Sequence, residues 1–216
     1  MDGARFMIYS PFSNLTALFA GKDIGELKTE IVRKAIHFLI AFTPSMAAVN
    51  RPLTVLFLMA GTLGYTYMEY LRLTGMNIPV FSSLNRLASR PRDAGRFVMG
   101  PVTLGLGALI ALLMYPSPAA SIAIYALAFG DGFASLAGKF FGKRRPAFLY
   151  GKSVEGSLAC FTAALISAYA VSGNMRIALT AAFTAMVVEA LPIGDYDNLL
   201  LPVTVGMAVQ IAFLVW

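Results

Sequence analysis

The chain has 216 residues, 58% of them hydrophobic and 13% charged, with a formal net charge of +6 and a mean hydropathy of +0.71. A soluble domain carries roughly 25% charged residues, so an ordinary globular domain is excluded. Bilayer-crossing helices of about 20 residues each fill the length, and one integral membrane domain with no soluble appendage is expected.

Taken from the start, residues 1–34 read as a cytoplasmic or interfacial segment. Ser10-Pro11 and Ser13-Asn14 interrupt the apolar stretch that a signal peptide needs, so an interfacial helix is the better expectation there. Residues 35–216 then form the transmembrane catalytic domain. Apolar segments fall at about 35–50, 53–71, 97–115, 118–137, 156–172, 176–191 and 199–216, separated by breakers such as Asn50-Arg51-Pro52, Tyr115-Pro116-Ser117-Pro118 and Ser172-Gly173-Asn174. The pattern predicts an all-α, multi-pass helix bundle of about seven transmembrane helices. Cys160 is the sole cysteine and lies in an apolar run, which rules out an intrachain disulfide and a CxxC site and leaves it as packing filler.

The basic residues are not spread evenly. Five lie in the N-terminal stretch (Arg5, Lys22, Lys28, Arg33, Lys34), five between the second and third apolar segments, and five between the fourth and fifth. Only Arg51 and Arg176 fall in the alternate connections. By the positive-inside rule the rich side is cytoplasmic, with the N-terminus inside. Glu30, Glu69, Asp131, Glu155, Glu189, Asp195 and Asp197 map to that same side. For Glu30, Glu69 and Asp93, pairing with nearby Lys or Arg at the headgroup level is an equal alternative. Asp131 and Glu189 have no local base, and an acid near the bilayer centre costs roughly 2.5–3.5 kcal/mol on insertion scales. A polar site ringed by helix ends is therefore expected.

Four blocks could carry its chemistry. In the first, Glu30, Lys34 and His37 follow i, i+4, i+7 spacing and share a helical face with Arg33 nearby; the alternative is a solvated helix start. In the second, Gly130, Ala134, Gly138 and Gly142 make a small-residue stripe. Close helix packing explains the stripe but not Asp131 within it. A carboxylate beside glycines and a basic loop suits Mg²⁺ bridging to phosphates. The third, Gly151-Lys152-Ser153-Val154-Glu155-Gly156-Ser157, is not a P-loop, because Pro146 stands where the first glycine belongs. Lys152 at a helix start still suits a phosphate. The fourth, Glu189 to Asn198, carries Asp195 and Asp197 with no base, which fits a cation or a general base better than an Asx turn. The Arg86–Arg96 stretch reads first as a headgroup anchor and second as a phosphate clamp.

Together these blocks resemble the polyprenol kinase family, which includes dolichol kinase, phytol kinase and CTP-dependent diacylglycerol kinase. The resemblance runs from about residue 28 to the C-terminus and rests on Glu30/Arg33/Lys34/His37, on Gly130-Asp131 with Ala134-Ser135 and Gly138, on Lys152 to Ser157, and on Glu189, Pro192 and the Asp195/Asp197-Asn198 loop. It implies a CTP-dependent kinase acting on a lipid alcohol, either a prenol or diacylglycerol, at the cytoplasmic face, with Mg²⁺ or Mn²⁺. The catalytic set would be Asp131, Lys152, Glu155, Asp197 and His37. Arg33, Lys34, Ser135, Lys139, Ser153 and Asn198 would hold the nucleotide, and Asp131, Glu189, Asp195 and Asp197 the metal. Gly130 to Ser157 also resembles phosphatidate cytidylyltransferases, but their terminal His-Gly-Gly block and Asp-Arg-x-x-Asp turn are missing. A transporter is the alternative of another class; its acids would line a path through the membrane. The expected partners are a membrane lipid and a nucleoside triphosphate, with no nucleic acid. A homodimer stays open, because the glycine stripes suit packing between copies as well as within one bundle.

Overall fold

A computed structural model describes residues 24–76, 78–90 and 93–216; the expected interfacial helix before residue 24 lies outside them. The described residues are mostly helical, with no strand among them. Helix α1, Ile24–Phe38, passes through a 3₁₀ turn, Leu39–Phe42, into α2, Thr43–Leu73, so the helical path runs on across the expected boundary at residue 34. Within α2 the chain breaks at Asn50, whose backbone is extended (φ −153°, ψ 96°). The Asn50 side chain accepts from Leu53 N at 3.0 Å and Pro52 falls in the next turn, the signature of a new helix start. Helices α3 (Pro79–Ala88), α4 (Gly100–Met114) and α5 (Ala119–Tyr125) follow. A π-helical turn, Ala126–Asp131, joins α5 to α6, Gly132–Phe140. The last three are α7 (Val154–Ser172), α8 (Met175–Ala190) and α9 (Asp197–Val215).

Four runs are long and apolar enough to cross a membrane: Leu27–Leu73, Ala119–Phe140, Val154–Ser172 and Gly194–Val215. The sequence predicts seven. The difference has three sources. The first two expected spans form one run divided at Asn50, while α4 and α8 have 15 and 16 residues. At 1.5 Å per residue, those two reach about 22–24 Å against a hydrocarbon core of roughly 30 Å.

The packing is that of a membrane protein. Its interior is mostly alanine, with Ala108, Ala123, Ala164 and Ala181 fully buried, whereas Phe57, Leu63, Ile166 and Leu214 are exposed. Small residues let helix backbones approach where lipid, not water, surrounds the bundle. Gly107 shows how close. A Cβ there would strike the carbonyl oxygen of Asn198, which has no helical donor because Pro202 lacks an N–H.

Contacts define two ends. At one, Arg51 Nη2 donates to the carbonyls of Leu112 and Tyr115, and the Arg176 guanidinium lies 5.9 Å from the Trp216 ring centroid. Arg51 and Arg176 are the two basic residues outside the three clusters. The charged blocks gather at the other end.

Candidate functional site

The four blocks, together with residues of α2, α3 and α4, close around one cavity of about 540 Å³ at the charged end. The deepest pair joins α1 to the π-helical turn. Lys34 Nζ donates to Asp131 Oδ2 at 2.5 Å, and both side chains are buried. Helical spacing puts His37 one turn beyond Lys34. His37 Nε2 lies 3.0 Å from the Leu127 carbonyl oxygen and 3.4 Å from Asp131 Oδ2. Both neighbours are acceptors, so Nε2 carries the proton and donates. π-helical turns recur at functional sites, and this one places the carboxylate of Asp131 between two cationic or donor groups.

A second pair lies across the cavity. Ser153 caps α7, accepting from Gly156 N at 3.1 Å, which sets Lys152 just before the helix start. Lys152 Nζ donates to the Glu189 backbone carbonyl, lies 3.1 Å from Glu189 Oε1 and 3.9 Å from Asp197 Oδ2. Ser157 Oγ donates to the other Glu189 oxygen at 3.3 Å. Asp197 opens α9 and accepts from Asn198 N at 2.8 Å; the Asn198 amide donates to Gly100 O and Thr103 Oγ1.

Glu30 forms a third node. It accepts from Arg33 Nη2 at 2.7 Å, from Arg90 Nη2 at 3.3 Å and from Ser135 Oγ, tying α1, the loop after α3 and α6 together. Arg33 Nε, however, is buried without a hydrogen-bond partner. A buried donor of this kind is rare.

Most of the expected residues therefore converge. Arg33, Lys34, His37, Asp131, Ser135, Lys139, Lys152, Ser153, Glu189, Asp195, Asp197 and Asn198 all line the cavity. Glu155 does not. Its carboxylate turns outward to accept from Arg144 N at 3.3 and 3.4 Å, closing the basic loop onto the start of α7. Among the described residues, no three His, Cys, Asp or Glu groups gather around one point as a metal cluster would.

Sequence reasoning assigned no part to Tyr65 or Arg145, and read Asp93 only as a headgroup-level ion pair and Arg90 only as one of the Arg86–Arg96 cluster; all four line the cavity. Arg145 Nη1 and Nη2 donate to the Gly151 and Gly138 carbonyls, bracing the basic loop against α6. The signal for Arg90 was present in the Arg86–Arg96 cluster, and only the pairing with Glu30 shows which arginine matters. Glu69, by contrast, is a structural acid. Fully buried, it accepts from Arg72 Nε and Nη2 at 2.7 Å each, from Asn85 Nδ2 at 2.7 Å and from Val98 N at 2.8 Å. It thereby folds the connection between α2 and α4 back onto the bundle.

No protein-family model matches the chain, and no solved structure matches it. An uncharacterized protein of Methanocaldococcus jannaschii is 31% identical over 188 residues, covering 84% of this chain and 93% of that one. Phytol kinase 1, chloroplastic, of Arabidopsis thaliana is 28% identical over 160 residues, 65% of this chain and 52% of the kinase. A probable phytol kinase 1 of Oryza sativa subsp. japonica is 25% identical over 157 residues, 64% of this chain and 50% of the kinase. The chain spans about half the length of the two plant proteins. It belongs to one family with the Methanocaldococcus jannaschii protein and is distantly related to the phytol kinases.

Proposed function

We propose that this chain is a membrane-embedded kinase that transfers the terminal phosphoryl group of a nucleoside triphosphate, CTP by family resemblance, to the hydroxyl of a prenol-type lipid alcohol. The observation that carries the reading is the pairing of two lysines, Lys34 buried and Lys152 half-buried, with carboxylates from distant segments around one cavity, Lys34 with Asp131 and Lys152 with Glu189. Such a site matches the demands of phosphoryl transfer, which are positioning and charge compensation. The distant similarity to phytol kinases points to the same chemistry. The basic-residue pattern assigns the charged end to the cytoplasm, and the helices then make seven crossings, α4 and α8 being short ones.

Lys34, Lys152 and Arg33 meet the phosphates. Asp131, with Asp195 or Asp197 as a second oxygen donor or as base, faces the metal, and His37 fixes the Asp131 carboxylate. The donor set fits Mg²⁺, which takes one or two carboxylates and completes its shell with phosphate and water; it does not suit an ion held by protein alone. When bound, Mg²⁺ neutralises charge developing on the phosphates. In the reaction the bond from the β–γ bridging oxygen to the γ-phosphorus breaks and one from the lipid oxygen forms. The hydroxyl proton passes to a carboxylate, and nucleoside diphosphate leaves. Incubating purified protein with CTP, ATP and a lipid panel tests the reading. A kinase yields nucleoside diphosphate and a lipid monophosphate, whereas pyrophosphate with phosphatidic acid marks a cytidylyltransferase and rejects the proposal.

A further inference from the structure

The cavity is not charged throughout. Where α1, α2, α3 and α4 approach one another its wall is apolar, built from Ile36, Tyr65, Phe81, Leu84, Pro101 and Leu104. Tyr65 and Phe81 stand edge to face with centroids 5.5 Å apart, and the Tyr65 hydroxyl reaches the Val98 carbonyl at 3.3 Å, which fixes this side of the wall. Two of these residues are also accessible. Leu84 lines the cavity and is 52% exposed, and Ile36 lines it and is 38% exposed. Val80 and Leu87 of α3 and Leu39 just past α1 are exposed without lining the cavity, so the outer surface beside this wall is apolar. Elsewhere the lining carries the cations Arg33, Lys139, Arg145 and Lys152 among the acids Asp131, Glu189, Asp195 and Asp197, a mixture that suits a metal-bound polyanion arriving from water.

Volume sharpens the point. At about 540 Å³ the cavity has the size of a single small-molecule site, which typically spans roughly 300–1,000 Å³. A space of that size suits one such ligand, so a nucleoside triphosphate together with a whole long-chain lipid exceeds it. Resting on the kinase reading above, we infer that the lipid alcohol reacts with only its head inside, and that its hydrocarbon chain passes out to the bilayer between α1 and α3, across Ile36 and Leu84. Asn85, on the next position of α3, is buried and bonded to Glu69, so the helix forming one side of this portal is anchored.

Chain-length selectivity tests the portal. Leu84→Trp and Ile36→Trp should lower the ratio of kcat/KM for a long-chain prenol to that for a one-unit isoprenoid alcohol by about tenfold or more. Val80→Trp, on the same helix but 74% exposed and outside the cavity wall, should leave the ratio unchanged. Equal loss for both alcohols, or no change in the ratio, overturns the portal. If wild-type protein phosphorylates neither alcohol, the kinase reading fails on its own account. The portal is then judged by photolabelling, which needs neither turnover nor a variant. A long-chain alcohol carrying a diazirine along its chain, reconstituted with wild-type protein, should label peptides containing Ile36 and the Phe81–Ala88 stretch. Labelling confined to other exposed faces, such as Leu56 and Phe57 of α2, overturns the inference.

Discussion

Lys34 and Asp131 stand 97 residues apart in the chain and meet at 2.5 Å, their side chains only 4% and 9% exposed. A buried pair of this kind is weak evidence for stability, since hydrophobic replacement is often neutral or better; removing one partner, however, strands a buried charge at roughly 3–5 kcal/mol. Lys34→Met alone should therefore lower the unfolding temperature in detergent, whereas Lys34→Met with Asp131→Leu should recover most of it. Neither variant should turn over. A stable and active double variant would show that the pair is structural only.

The same pair links two ligands. A polyanion that takes Lys34 leaves Asp131 uncompensated, and a cation that takes Asp131 leaves Lys34 so. Metal and triphosphate should bind together, with nucleotide affinity about tenfold or more higher in saturating Mg²⁺ than in chelator, and Mg²⁺ affinity raised by nucleotide in equal measure. Asp131→Asn should weaken that coupling in calorimetric titrations. Equal nucleotide affinity with and without metal in the wild type would contradict the arrangement.

Glu69 makes a contrasting case. Its four hydrogen bonds hold Arg72, Asn85 and Val98; Asn85 and Val98 reach the cavity lining, but the Glu69 carboxylate itself does not. Glu69→Ala should cost about 2–4 kcal/mol and open residues 74–99 to limited proteolysis. Glu69→Gln should lose less than the alanine variant, because it keeps an acceptor for part of the set. Proteolysis rates at matched temperature check both.

Two glycines separate packing from propensity. A Cβ at Gly107 would meet the Asn198 backbone, so Gly107→Ala should destabilise by roughly 1–3 kcal/mol. Gly61 has nothing within 4 Å of its would-be Cβ. In the interior of α2, Gly61→Ala should be neutral or stabilising by about 0.5–1 kcal/mol. Thermal unfolding of the pair in one detergent compares them directly.

Much of this was legible in the sequence. The break at Asn50-Arg51-Pro52, the four blocks and their gathering at one end follow from apolar periodicity and from where lysine and arginine fall. What periodicity does not carry is which partner each charge finds. Asp131 has no local base, so its pairing with Lys34 depends on how α1 packs against the π-helical turn, a tertiary fact. Glu155 shares a helix start with Lys152, yet Lys152 stands before the Ser153 cap and outside the helix, so the i, i+3 spacing that puts two helical side chains on one face does not hold for this pair, and the carboxylate faces the basic loop instead of the cavity. The segment 97–115 overran α4 (Gly100–Met114) for a similar reason: apolar residues in the flanking turns look the same in sequence as those inside the helix, whereas 176–191 matches α8 to within one residue at each end.

The measurement that bears most directly on the central claim is transfer of label from γ-phosphate-labelled nucleoside triphosphate to a long-chain prenol by purified wild-type protein and by Asp131→Asn. Labelled prenyl monophosphate from the wild type, and a loss of about a hundredfold or more in an Asp131→Asn protein that still elutes and unfolds like the wild type, is the result expected. Label that never reaches the lipid, or that reaches it equally well without the Asp131 carboxylate, would contradict the account.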